Sequence, residues 1–280
     1  MKFPRHAWTR QTLVLGLALS AGGCGTYVPE LREFPNYTQA DTQNMIDAIV
    51  QSVRCELSHA ITSVVDNDVS ESRLRQSKRT YSDFLGGWGA EVAFTFTIVE
   101  KTSVAPSVLW TPPSPASSVF TLNAGVSGSA QATRIEKMNF FYTVAELYRL
   151  PCKGSEIRYD SLLIQNDLKI ADLLLGRIGP TTLGTAHTPG SGQKNVLSHE
   201  ISFQVVTGGT ATPMWKLVRA TVNPSGTFFG VSRDRTHDLL ITFGPLASGG
   251  KSLIAIAEQS HFASQITSGV TTGFHSTFPP

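Results

Sequence analysis

Between Trp88 and Lys101 hydrophobic and polar positions alternate: Trp88, Ala90, Val92, Phe94, Phe96 and Ile98 fall on one side, Glu91, Thr95, Thr97 and Lys101 on the other. A period of two is that of an extended chain, so this stretch predicts a half-buried strand. Residues 119–131 repeat the pattern, with Phe120, Leu122, Ala124, Val126 and Ala130 opposed by Thr121, Asn123, Ser127, Ser129 and Gln131. Residues 135–148, around Phe140, Tyr142 and Val144, are expected to finish that sheet. Elsewhere the period lengthens. From Asp41 to Val65, Ile46, Ile49, Val50, Val53, Leu57, Ala60, Ile61 and Val64 recur at helical spacing. That is an amphipathic helix, with Asp41 or Thr42 able to cap its start. A second helix is predicted near Ser161 to Arg177, with Ile164, Leu168, Ala171, Leu175 and Ile178 in line. Residues 66–85, carrying Arg73, Arg75, Lys78 and Arg79, read as a solvated connector. Thr111 to Ser118, rich in Pro and Ser, reads as a loop.

The order of these elements recurs. Glu91 to Phe96 has a counterpart in Glu200 to Val205, Pro106 and Trp110 in Pro213 and Trp215, and Gly125-Val126-Ser127 in Gly230-Val231-Ser232. Thr133-Arg134 corresponds to Thr236-His237, Phe141 to Phe243, and Ser161-Leu162-Leu163-Ile164 to Ser252-Leu253-Ile254-Ala255. The common order predicts an internal duplication. The expected fold is α+β: two related units, each an antiparallel sheet covered by amphipathic helices. The first unit would span 24–178 and the second 196–268, joined by a Gly-, Pro- and Thr-rich hinge at 179–195 and followed by a tail at 269–280.

The N-terminus sets the compartment. Lys2, Arg5 and Arg10 precede an apolar stretch from Thr12 to Ala21, which ends in Leu19-Ser20-Ala21-Gly22-Gly23-Cys24. That stretch is too short for a spanning helix, which needs ~20 residues, and its basic, apolar, small-residue order is that of a signal peptide. Small residues before a Cys resemble the lipobox of bacterial lipoprotein precursors. The usual Leu three before the Cys is Ala21 here, and the Leu stands at 19. The resemblance implies that 1–23 is a signal peptide and that Cys24 is lipidated as the first mature residue. The protein would then be held to a membrane by buried acyl chains. Gly25 after the Cys implies outer-membrane sorting, facing the periplasm. An ordinary secretory signal cleaved nearby is the other reading. Over a minor part of the chain, Ala48 to Ala60 and Thr236-His237-Asp238-Leu239-Leu240-Ile241-Thr242 resemble the bacterial trypsin-co-occurring domains, a family with no catalytic motif to carry over.

Composition narrows the function classes. Hydrophobic residues make 41% and charged residues 16% of 280, which excludes a disordered chain and a polytopic helical membrane protein. Without Lys2, Arg5 and Arg10, 20 basic residues face 21 acidic ones. A nucleic-acid-binding surface is therefore not indicated. Besides Cys24 the thiols are Cys55 and Cys152. In an oxidising compartment a Cys55–Cys152 disulfide is the natural expectation, two unpaired thiols the alternative. Cys55 lies about half a turn from the apolar stripe, pointing toward another element.

Motifs with chemistry fall short of their requirements. Gly244-Pro245-Leu246-Ala247-Ser248-Gly249-Gly250-Lys251-Ser252 stands in the strand-to-helix context of a phosphate loop. Its spacing from Gly244 to Gly250 is one residue too long, and the correctly spaced position is Pro245, which has no N–H to offer. Asp234, His237 and Asp238 are close in sequence, but His237 and Asp238 alternate faces in a strand, so a metal site is not expected. Ser198-His199-Glu200 carries three triad types that cannot form a relay as strand neighbours. Gly125-Val126-Ser127-Gly128-Ser129 lacks the last Gly of a nucleophile elbow. No catalytic residue, cofactor or metal is assigned. The function expected is a non-catalytic binding or scaffolding module of the cell envelope, anchored to the membrane and serving an unnamed envelope protein partner. The hinge at 179–195 and the Phe274–Phe278 tail are candidate partner surfaces. Two alternatives stand beside it. Strands 88–101 and 119–132 are long enough to cross a membrane, though one chain has too few to close a barrel, so a pore would need several copies. A hydrolase would need a buried His near a carboxylate and a Ser in a cleft.

Overall fold

The computed structural model describes residues 27–31, 38–74, 76, 80–113, 118–150, 152, 167–182, 196–216, 219–224 and 226–277. The fold is α+β, with two antiparallel four-stranded sheets and a few helices. The larger sheet runs β4-β1-β8-β5, from β1 (Trp88–Val104), β4 (Gly128–Thr143), β5 (Leu197–Ala211) and β8 (Phe229–Pro245). The smaller runs β3-β2-β7-β6, from β2 (Ser107–Trp110), β3 (Leu122–Gly125), β6 (Trp215–Lys216) and β7 (Ala220–Val222). The helices are α1 (Gln39–Leu74), α2 (Val144–Arg149), α3 (Ile170–Thr182) and α4 (Ala255–Thr277), with a 3-10 turn at Asp83–Gly87.

Each half of the chain is a long hairpin whose connection carries two short strands. The two halves interleave: the chain forms two compact units, each built from three segments. Unit 1 takes 1–31, 96–135 and 204–236; unit 2 takes 32–95, 136–203 and 237–280. The division therefore crosses the stretches 24–178 and 196–268, because their strands pair side by side in one sheet. All four described helices belong to unit 2.

In unit 2 helices cover the sheet on both faces. His261 of α4 bonds Thr242 through Nδ1 at 2.7 Å, and Gln265 donates to Asn139 at 3.1 Å. α4 thus lies on the face that carries Asn139, Glu91 and Thr242. Ser198 stands 3.5 Å from Thr242, so its neighbour His199 points the other way. There His199 Nε2 meets the Leu168 carbonyl at 2.8 Å, just before α3. α3 packs on α1, and α1 on α2. Covering both faces explains why β1 is buried at Ala90, Val92, Ala93 and Phe94 alike. Phe94 and Phe140 meet edge to face at 5.8 Å. Of the eight residues in the α1 stripe, Ile49, Val53, Leu57, Ala60, Ile61 and Val64 are buried, while Ile46 and Val50 are half-buried and Met45 and Ala48 are buried beside them.

Several boundaries differ from the sequence reading. α1 starts from a capping box at Thr38, which receives the Asp41 N–H at 3.3 Å while Asp41 accepts from the Thr38 N–H at 2.8 Å. It runs on to Leu74 through part of the supposed connector, and Asp68 then accepts from the N–H groups of Tyr81 and Ser82, both at 2.7 Å. β4 ends at Thr143, whose Oγ1 accepts from the Glu146 N–H at 3.1 Å and starts α2 where strand was expected. β3 and β4 divide the stretch read as one strand over 119–131. Helix α3 begins at Ile170 rather than Ser161 and extends to Thr182, into the hinge; Ser161 to Asn166 and 183–195 lie outside the described residues. The supposed tail is helical through Thr277. Cys55 and Cys152 form a disulfide with Cα atoms 5.0 Å apart. Cys24 lies outside the described residues.

Candidate functional site

Unit 1 is built of strands, and its distinguishing surface is the smaller sheet. Trp110 stands opposite Leu122 on β3 and Ala220 on β7; Val108 stands opposite Ala124 and Val222, and Val222 opposite Trp215. Residues opposite one another in a sheet share a face. One face is therefore Val108, Trp110, Leu122, Ala124, Trp215, Ala220 and Val222, with no polar side chain. The row through Leu109, Asn123, Thr221 and Lys216 lies on the other. The apolar face is open: Trp110 is 46% exposed, Leu122 47% and Trp215 54%. Soluble chains rarely leave a contiguous apolar patch of this kind uncovered.

Asn223 fixes this sheet. It is buried, with φ at 53°, a conformation Asn tolerates better than most residues. Its backbone N–H donates to the Ser107 carbonyl at 2.7 Å, its Oδ1 accepts from the Ser107 N–H at 3.0 Å, and its Nδ2 donates to the Pro213 carbonyl at 2.8 Å. One side chain thus ties β2 and β7 to the approach to β6. Sequence reasoning missed it, since an Asn-Pro pair reads only as a turn signal.

The second feature is the strand order. Matching the two hairpins, β1 corresponds to β5, β2 to β6, β3 to β7 and β4 to β8. Both sheets then show a repeating pair, β4-β1 followed by β8-β5, and β3-β2 followed by β7-β6. Trp110 and Trp215 sit on corresponding strands, as do Thr133 and Thr236, whereas Gly125 ends β3 and Gly230 opens β8. The outer edges of the larger sheet are β4 and β5, of 16 and 15 residues. Neither contains Pro, and from Ile201 to Ala211 β5 carries no charge. Proteins ordinarily blunt such edges with charge, Pro or brevity.

A third feature is a pinned N-terminal segment. Arg134 Nη1 donates to the Pro29 carbonyl at 3.1 Å and Arg233 Nη2 to the Glu30 carbonyl at 2.6 Å, while Leu31 is buried. Arg233 also pairs with Glu100 at 2.7 Å. The segment therefore lies on the face of β1, β4 and β8 that carries these residues. The opposite face of unit 1 holds Thr97, Lys101, Ser103, Gln131, Thr133, Gln204, Ser232, Asp234 and Thr236 among a few aliphatic residues. A groove of 400 Å³ lined by Glu100, Lys101, Thr207, Gly208, Val231, Ser232 and Arg233 lies in this unit. Its carboxylate is already bonded to its guanidinium.

The sequence motifs find structural employment. After Gly244 the chain closes a small turn: Leu246 bridges Leu253, Ala247 N–H donates to the Ser252 carbonyl at 3.0 Å, and Gly250 N–H to the Ala247 carbonyl at 2.9 Å. Those N–H groups point inward rather than round a phosphate. Asp234 accepts from Gln204 at 2.7 Å. His237 is buried, while Asp238 stands on the other face by Ser202, its carboxyl pushed up by burial. Ser198, His199 and Glu200 diverge as alternation requires. Among the described residues no group of three His, Cys, Asp or Glu can hold a metal.

Among the described residues, two further titratable networks in unit 2 bear on function. Around His261, Thr242 lies at 2.7 Å, Gln265 at 3.1 Å and Glu91 at 3.9 Å. His261 is buried and its pKa is lowered by desolvation, while burial raises that of Glu91. The hydroxyl on the imidazole belongs to Thr242, which is fully buried, and the exposed Ser198 bonds Thr242 rather than the ring. These bonds fasten α4 to the sheet. Glu56 on α1 accepts from the Leu168 N–H at 2.7 Å and so holds the start of α3. Its pKa is raised to about 7, chiefly by burial and further by Asp167, against the lowering effect of the Leu168 and Ile170 N–H groups.

No family model matches this sequence, and neither does any curated protein. Among solved structures, the Salmonella SPI-1 type III secretion injectisome secretin InvG (residues 176-end, open gate state) aligns with 71% of this chain and 69% of that chain, at 9% identity and a TM-score of 0.15. At that score no common fold is established. Among the described residues no helix is long and apolar enough to cross a membrane, which leaves strands unaddressed.

Proposed function

We propose that this is a non-catalytic scaffolding lipoprotein of the cell envelope, held by acyl chains on Cys24, whose copies join head to tail through the edges of the larger sheet. The observation that carries this reading is the repeating order β4-β1, β8-β5. Inside one chain β1 pairs with β8. The corresponding strands are β5 and β4, and these are the open edges. A second copy can therefore set its β4 against β5 in the way the chain already pairs β1 with β8. The two edges also run in opposite directions, so the added strand keeps the antiparallel alternation. Such an interface is heterologous and builds a ring or a filament.

The internal pairing also sets a register. Glu100 faces Arg233, and Ala105 N–H bonds the Phe228 carbonyl at the same offset. Carried over through Glu91/Glu200 and Thr133/Thr236, that register places Val206 of one copy opposite Thr133 of the next. The test mixes two purified variants of the full chain, Thr133→Cys and Val206→Cys, under oxidising conditions. A covalent dimer in the mixture but in neither variant alone, with a native mass above one chain by light scattering, is the expected result. A monomeric mass and no cross-link would refute the assembly.

A second reading, a pore subunit, draws on the Ser-, Thr- and Gln-rich face of unit 1, which suits a water-filled lumen once several copies close. Conductance in planar bilayers separates it from a closed scaffold.

A further inference from the structure

We infer that the apolar face of the smaller sheet is a membrane-contacting surface, seated in the interfacial region of a lipid bilayer. The face is uninterrupted across four strands and carries two tryptophans, Trp110 and Trp215, contributed by corresponding strands of the two halves. Tryptophan is the residue most at home where hydrocarbon meets headgroups, with an apolar ring and one N–H to place in the wetter layer. The opposite face carries Leu109, Asn123, Thr221 and Lys216, with Asn123 and Lys216 exposed. A four-stranded sheet with one such face and strands of two to four residues is too short to span, so the contact is shallow.

What singles out a bilayer from other apolar partners is the N-terminal segment. Tyr27 and Val28 are 77% and 75% exposed, and they belong to the same compact unit as the smaller sheet. Two arginines pin the residues that follow them to unit 1. Three residues before Tyr27 is Cys24, and before that the apolar run from Thr12 to Ala21. Cys24 lies within ~11 Å of Tyr27 however the chain runs. The inference thus rests on the Cys24 anchor proposed above: acyl chains there would bring unit 1, and with it the open face, to the bilayer.

The chain contains four tryptophans, at 8, 88, 110 and 215. In a Trp8→Phe/Trp88→Phe background only the two on this face emit. The full chain is reconstituted with phosphatidylcholine vesicles, flotation confirms association, and emission is compared between plain lipid and lipid brominated near the headgroup or deep in the tail. The expectation is a loss of roughly half the emission or more with shallow bromine and less with deep bromine. Because Trp88 is buried against Phe84, its replacement can harm folding. The same quantity is then read as the difference between the unaltered chain and Trp110→Phe/Trp215→Phe. Failure to float, or floating protein whose emission bromine leaves unchanged, overturns the inference. A drop in native mass on Trp110→Ser/Trp215→Ser, with no bromine quenching in the parent, would assign the face to a second copy instead. Neither readout depends on the Thr133–Val206 cross-link, so failure here is distinct from failure of the edge-to-edge assembly.

Discussion

Replacing Glu56 by Gln should raise stability at alkaline pH and leave it nearly unchanged in acid. The carboxyl sits half-buried between α1 and the start of α3, and its pKa moves from 4.5 in the open chain to about 7 when folded. Between those values the folded chain keeps a proton that the unfolded chain has released. Stability therefore falls as pH rises from 4.5 to 7, and the deficit persists above. At ~1.4 kcal/mol per unit the full shift would amount to about 3.4 kcal/mol. Half-exposure and solvent screening reduce that to about 1–2 kcal/mol. Asp167 does not titrate in this window, because its bonds to Lys169 hold its own pKa below the ordinary value. Gln keeps an oxygen for the Leu168 N–H while removing the ionisation. Urea unfolding of the Glu56→Gln chain should therefore match the native curve at pH 5 and exceed it by about 1–2 kcal/mol at pH 8. Glu56→Ala, which also removes the cap, should cost about 1 kcal/mol at pH 5. If the native and Gln curves stay parallel from pH 5 to 8, burial is not acting on this carboxyl as the geometry requires.

Two further outcomes test the core. The Cys55–Cys152 bridge spans 97 residues of sequence; on chain-entropy grounds Cys152→Ser should lower stability by up to ~4–5 kcal/mol, measured by urea unfolding with and without reductant. Reductant should have no effect on the variant. At Gly89 an added Cβ would meet Phe141 Cζ at 2.8 Å and Leu246 Cδ2 at 2.9 Å. Gly89→Val should therefore destabilise by about 1–3 kcal/mol through overpacking, visible as a lower Tm.

Much of unit 2 was legible because its elements are long. Six alternating residues of β1 and eight at helical spacing in α1 define their faces whatever the neighbours do. The pointing of Cys55 away from the α1 stripe followed from the same arithmetic. Boundaries were lost where a local polar bond competes with apolar pattern. Val144 continues the alternation of β4, yet Thr143 and Glu146 carry the T-x-x-E signature of a helix start, and the cap prevails. α1 similarly runs into the basic connector as far as Leu74, and Asp68 receives the chain that returns at Tyr81 and Ser82. The smaller sheet was illegible for a different reason. Its strands have two to four residues, below the length at which alternation separates from chance, and Trp110 and Trp215 stood out only as markers of the repeat.

The repeating strand order accounts for two exposed edges in one chain. A hairpin on its own leaves an edge on either side, and a two-stranded ribbon is marginal in water. The observed order pairs one edge of the first hairpin, β1, with one edge of the second, β8, and leaves β4 and β5 over. Selection for a monomer would then act on those leftovers with charge, Pro or shortening. In β4 the charged residues Arg134, Glu136 and Lys137 are confined to the middle, and Gly128 to Thr133 has none; in β5 the eleven residues from Ile201 onward have none. Gly128 to Thr133 and the β5 stretch from Gln204 on lie in unit 1, where no described helix covers the strands and the smaller sheet presents its tryptophans. An open edge and an apolar face in the same unit suit the two contacts proposed above, one with further copies and one with lipid. That combination makes a specific demand: variants that block the edge should leave bromine quenching of Trp110 and Trp215 intact, because the edges belong to the larger sheet and the tryptophans to the smaller one.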